Sequence, residues 1–168
     1  MSTSKPEQPA AADPIADISV RSLLIPLSGM MLVLPNTAVA EVADYQPPHR
    51  TPDAPGWLLG IMPWRGRSVP LLAFEQFVGL SAGAGGVHAR AVICNTLNGN
   101  AHMPFIAVLA QGIPRLLEVK ADMLEPADRG DGDAMAVAAR VHLAGQEGVI
   151  PDIDVLERLL GQLGIKAG

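Results

Sequence analysis

Apolar positions in this chain fall in short runs of strand length, separated by residues that favour turns. SVRSLLIPL and MMLVLP flank Ser28-Gly29 and predict a β-hairpin. In TAVAEVADY, Val39, Glu41 and Ala43 alternate against Ala40, Val42 and Asp44, the period of a third strand. QPPHRTPDAP holds four prolines in ten residues, so it predicts an ordered loop rather than a ladder. LLGIMPW and RSVPLLAF predict two strands joined at Arg65-Gly66, and FEQFVGL predicts a short helix. SAGAGGVHA predicts a flexible joint between two lobes near residues 79–90. The second half repeats the pattern. ARAVICNTL, a turn at Asn98-Gly99, AHMPFIAVLA and IPRLLEV predict strands, PADRGDGDA a polar loop, and AVAARVHLAG and GVIPDI the last strands. IDVLERLLGQL predicts a closing helix with Ile153, Leu156, Leu160 and Leu163 on one side.

Many short strands without parallel α/β alternation predict an all-β fold with short helices, a barrel or a sandwich. The 168 residues amount to one domain or one compact pair of lobes. With 49% hydrophobic and 17% charged residues, the chain has material for a generous core or a sticky surface. Residues 1–17 lack the apolar segment of a signal peptide and have the composition of a disordered leader, which places the folded domain at 18–165. Ser22 to Ala40 carries no charge, yet Pro26, Ser28-Gly29, Pro35 and Asn36 interrupt it, which excludes a membrane span. A net charge of −5, with no cluster of Lys and Arg, excludes nucleic acid as a partner. The single Cys94 cannot form an internal disulfide; its apolar setting, AVICNT, predicts a buried inert thiol and fits a reducing, cytoplasmic compartment.

Catalytic patterns are weak. GLSAG at 79–83 matches G-x-S-x-G, and Asp122 or Asp128 followed by His142 gives the chain order of an α/β-hydrolase triad around Ser81. That motif has meaning on a strand-to-helix turn, whereas here a helix precedes it and a Gly/Ala-rich loop follows, so Ser81 reads as a linker serine. GAGGVH places His88 where a dinucleotide fingerprint needs glycine. His49, His88, His102 and His142 have no metal-ligand spacing, and the paired Asp131 and Asp133 read as solvated loop charges. No cofactor or metal is expected.

WLLGIMPWRGRSVP gathers both tryptophans around a charged turn. This segment, extended to APGWLLGIMPWRGRSVPLLAFEQFVG, resembles the signature of the CheW family of chemotaxis coupling proteins. LSGMMLVLPNTAVAEV resembles that family's hairpin, ending in Leu-Pro and running into a V-x-E-V strand. FIAVLAQGIPRLLEV and GVIPDIDVLERLL resemble its later segments, so the likeness extends from about Ser22 to Leu160. Pro63 stands where the family usually has Asn, Ala73 where Asp is usual, and Ala110-Gln111 where Val-Asp is usual. These departures resemble the divergent short adaptors of chemosensory systems that control type IV pili and twitching.

The resemblance implies two SH3-like five-stranded β-barrel lobes sharing a core and no catalytic site. It implies a bridge between the regulatory domain of a CheA-type histidine kinase and the cytoplasmic tip of a chemoreceptor. By motif position it assigns Val39 and Arg65 to the receptor-facing surface, with Trp64, Gly66 and Arg67 supporting the turn. The alternatives are a small serine hydrolase using Ser81 and His142, and a free-standing β-barrel ligand binder.

Overall fold

The apolar runs LLI, MLVL, VPLL, AVIC and IAVLA are continuous, not alternating, because the strands they form are buried on both faces. The computed structural model describes residues 18–165; the expected leader lies outside them. Among the described residues eleven strands are seen: β1 Ser19–Pro26, β2 Met31–Pro35, β3 Val39–Asp44, β4 Leu58–Trp64, β5 Arg67–Leu72, β6 Arg90–Asn95, β7 Phe105–Ala110, β8 Arg115–Lys120, β9 Leu124–Ala127, β10 Val137–Leu143 and β11 Gln146–Pro151. The helix α1, Ile153–Gln162, closes the described chain.

The strands form two sheets, one ordered β8-β1-β2-β11-β10-β9 and the other β3-β6-β7-β5-β4. Each is built on one plan. A hairpin (β1–β2, or β6–β7) pairs in parallel with the second strand of another hairpin (β10–β11, or β4–β5). The second lobe, β3–β7, is continuous in sequence and is inserted between β2 and β8 of the first. The all-β, two-lobed expectation therefore holds. The second lobe has the expected five strands. The first has six, because Leu124–Ala127, part of which was expected in a polar loop, pairs with β10.

Period-2 alternation sorts the side chains of these strands between cores. In β1, Leu23 and Ile25 enter a core shared by both lobes, while Leu24 enters one private to the first lobe. In β2, Leu32 and Leu34 are shared and Met31 and Val33 private. The second lobe repeats the arrangement, with Val92, Cys94, Ile106 and Val108 shared and Ala91, Ile93, Ala107 and Leu109 private. The shared core is completed by Phe74 and Phe77 and by Ile153, Val155, Leu156 and Leu160 of α1. Asp152 caps that helix, its carboxylate accepting from the N–H of Val155 at 3.0 Å.

Three expectations are corrected. The Gly-rich segment at 79–90 is not the joint between lobes; it connects β5 to β6 within one sheet, and the chain crosses between lobes at the 3-10 turn Asn36–Ala38 and again between β7 and β8. Asn98-Gly99 is not a two-residue hairpin turn. It sits in a longer β6–β7 connection, where the Asn98 amide donates to Asp154 and Glu157 of α1 at 3.0 and 2.9 Å. Nor is Asp133 a solvated loop charge. Its side chain is 1% exposed, and the Arg140 guanidinium binds it with Nε 2.8 Å from Oδ2. Thus ordered, the loop reaches the other lobe, where the N–H of Ala134 donates to the carbonyl of Phe77 at 2.8 Å.

Hydrogen bonds from Arg140 hold the Asp133 carboxyl below the usual carboxylate range, against the opposing effect of burial. A group whose folded pKa is depressed contributes stability above its unfolded pKa, about 3.9, and loses it as pH falls through the folded value. Asp133→Asn is therefore expected to lower stability at pH 7. The deficit relative to wild type should shrink as pH falls below about 4 in urea titrations. A deficit independent of pH would contradict this account of the ion pair.

Candidate protein-binding site

β4 and β5 meet in a two-residue turn at Arg65-Gly66, where φ is 48° and 74°. Both angles are left-handed, as the right-handed twist of a tight hairpin requires. Glycine meets this demand without cost, but an arginine in that region stores about 1–3 kcal/mol of strain. Gly60 serves the same strand differently. A Cβ there would lie 2.2 Å from the His49 carbonyl oxygen, and this close approach lets the Pro-rich loop pair at His49 with Ile61.

The turn is braced by aromatic rings. Trp64 meets Phe105 edge-on at 5.0 Å, the Arg65 guanidinium lies 5.6 Å from the Trp64 ring centre, and that of Arg67 lies 5.8 Å from Phe105. The row Arg65–Trp64–Phe105–Arg67 thus places a cation at each end of an aromatic pair. The indole N–H of Trp64 is buried without a hydrogen-bond partner among the described residues. Trp57 lies elsewhere, half-buried, 5.1 Å from Phe77 and against the shared core.

Arg65, with 71% of its side chain exposed, pairs with Glu41 of β3 at 2.7 Å. Strands β3 and β4 stand at opposite edges of the five-stranded sheet. The ion pair therefore bridges the two edges, as does packing of Ala43 and Tyr45 from one side and Leu59 and Trp64 from the other on a common core. The sheet is curled toward a barrel. A bulge between Val39 and Glu41 turns them to opposite faces of β3: Val39 pairs with Cys94 and lies half-buried against the shared core, whereas Glu41 pairs with Ile93 of the second lobe's own core. The five residues expected at the site thus fall on two elements that the Arg65–Glu41 pair joins. Glu41 and Phe105 were not expected. The alternation expected for β3 put Glu41 and Val39 on one face, which the bulge between them corrects, and nothing local in the sequence marks Phe105.

Other chemistry is not assembled. Ser81 is exposed in coil after Gly79, and His142 is exposed on β10 of the other lobe, with no hydrogen bond joining them among the described residues. No three His, Cys, Asp or Glu side chains among the described residues group to hold a metal. No helix among them is long and apolar enough to cross a membrane, and the uncharged stretch from Ser22 to Ala40 contains the β1–β2 hairpin. Cys94 is fully buried in the shared core, and burial pushes its thiol up to about 12.

The sequence pattern of the CheW-like domain matches residues 21–160. The chain belongs to the CheW-like domain family. Comparison with curated proteins gives no match. Among solved structures, the fold is similar to that of the scaffolding protein TtCheW from Thermoanaerobacter tengcongensis, with a TM-score of 0.68 and 15% identity over 89% of this chain and 93% of that one. The matched CheW-like region takes in both lobes and nearly all of α1, so the family unit is the whole two-lobed body.

Cys94 reports on the opening of that body. At pH 8 a thiol of pKa near 12 is about one part in ten thousand thiolate, and the native side chain is enclosed. Labelling by a disulfide reagent is expected to rise only in step with unfolding in denaturant. Labelling of the folded protein at the rate of a free thiol would contradict the shared-core placement.

Proposed function

We propose that this CheW-like protein is a non-enzymatic adaptor that couples chemoreceptors to a CheA-type histidine kinase. Its recognition surface is the hairpin tip carrying Arg65. The observation that carries the reading is the conformation of that arginine: a non-glycine residue held at φ 48° on an exposed turn whose geometry glycine would meet without strain. Arginine and aromatic residues are the side chains that interfaces favour, and the exposed Arg65 head stands over half-buried rings. Glu41 ties β3 to that surface through its pair with Arg65, Val39 belongs to it at the start of the same strand, and Trp64, Gly66 and Arg67 keep the turn in shape.

The family and the printed role of TtCheW as a scaffolding protein support an adaptor rather than a catalyst. The departures at Pro63, Ala73 and Ala110-Gln111 support placing it with the short adaptors of type IV pilus systems, acting in the cytoplasm on a receptor's cytoplasmic tip and the kinase regulatory domain. Ser81 and His142 on separate lobes offer the hydrolase alternative no site.

Arg65→Ala is expected to leave the melting temperature nearly unchanged, since exposed ion pairs contribute about 0.2–1 kcal/mol. It should weaken binding to receptor or kinase by about thirtyfold, the loss of an interface anchor of roughly 2 kcal/mol. Phe74→Ala, at a fully buried ring of the shared core, should instead cost about 3–5 kcal/mol of stability. Titration calorimetry with the isolated receptor tip and kinase domain, beside thermal melts, separates the two effects. If Arg65→Ala unfolds the protein, or leaves both affinities intact, the site assignment fails.

A further inference from the structure

Glu75 lies in the 3-10 helix Phe74–Val78 of the second lobe with no exposed surface, and among the described residues no Lys or Arg pairs with it. Its Oε1 accepts from the backbone N–H of Ser28 at 3.0 Å, in the β1–β2 turn of the first lobe, and from Nε2 of Gln111 at 3.4 Å. Its Oε2 is buried and has no hydrogen-bond partner among the described residues. A buried acceptor without a donor persists only where its surroundings hold it in place.

Gln111 occupies the point where the chain returns from the second lobe to the first. Its N–H donates to the Pro26 carbonyl at 2.8 Å. Its side-chain Oε1 accepts from the N–H of Gly85 at 3.3 Å. Gly83 leaves room for that side chain, since a Cβ at 83 would fall 2.1 Å from the Gln111 amide carbon. Leu80 begins the same loop and packs by Gly29, where an added Cβ would stand 3.4 Å from its Cδ1. The Gly-rich loop of one lobe therefore touches the hairpin turn of the other both directly and through Gln111.

We propose that Glu75 and Gln111 form a clasp that makes opening of residues 80–86 and loosening of the contact between lobes one cooperative event. Ala82, Gly83 and Ala84 wall a cleft of about 370 Å³ with Tyr45, Pro48 and Leu59. Access to that cleft is thereby linked to how the lobes pack. The clasp stands on these contacts alone and is independent of the coupling function.

Native-state hydrogen exchange on the full chain at pH 7, across sub-denaturing urea, tests it. In the wild type the Gly85 and Ser28 amides should share one opening equilibrium. In Gln111→Ala the Gly85 amide should exchange about tenfold faster or more and cease to track Ser28, while Leu156 and Leu160 in α1 keep their protection. Gly83→Ala displaces Gln111 from the opposite side and should produce the same uncoupling, which preserves the test if the first variant folds poorly. Separate openings of Gly85 and Ser28 in the wild type overturn the proposal. So does continued tracking of the two amides in a folded variant.

Discussion

Burial of single strands on two faces at once is the constraint on which this structure rests. A hairpin such as β1–β2 has no solvent face to spare; Leu24 and Leu23, adjacent in the chain, belong to different cores. Neither lobe can leave the other without exposing the row of Leu, Ile, Val and Phe side chains between them. At about 25 cal/mol per Å² of apolar surface, separation is costly, and the protein behaves as one unit despite having two sheets. Much of the high apolar fraction of the sequence follows from this arrangement.

Around that core, polar groups act where the lobes meet and where a sheet must curl. Asp133 is held in place by Arg140, and its loop reaches Phe77 in the other lobe. Glu41 and Arg65 join the edges of the second sheet. These ionic contacts differ in strength by exposure. The first is enclosed and hydrogen-bonded on several sides, so breaking it leaves a buried charge; the second stands in water and contributes little to stability. That difference leaves Arg65 free for recognition while Asp133 is committed to architecture.

Local patterns in the sequence exposed most of the strands, because each needs only a period and a turn. Ser28-Gly29, Arg65-Gly66 and the helix from Ile153 were all legible in this way. Features that depend on distant partners were not. Leu124–Ala127 contains a proline and its last two residues read as loop, yet it finds a ladder along β10. The 79–90 segment has the composition of a linker, and only the pairing of β5 with β7 shows that it stays within one lobe. At the candidate site, Arg65, its turn and Val39 were readable from the motif, whereas Glu41, across a bulge from Val39, was not. Phe105, arriving from a strand forty residues on, had no local signal.

The insertion of β3–β7 between β2 and β8 also orders events during synthesis. The second lobe can complete its own sheet as soon as β7 has emerged, because all its strands are contiguous. The first lobe cannot. Its hairpin is made before the second lobe, but its neighbours β8 and β11 leave the ribosome only after the second lobe, and pairings so far apart in sequence form slowly. Until then Ile25 and Leu32, which have no exposed surface in the finished protein, must rest against the second lobe or remain open to other chains. The nascent protein is thus most prone to aggregate through its first strands, the ones that end up most deeply enclosed.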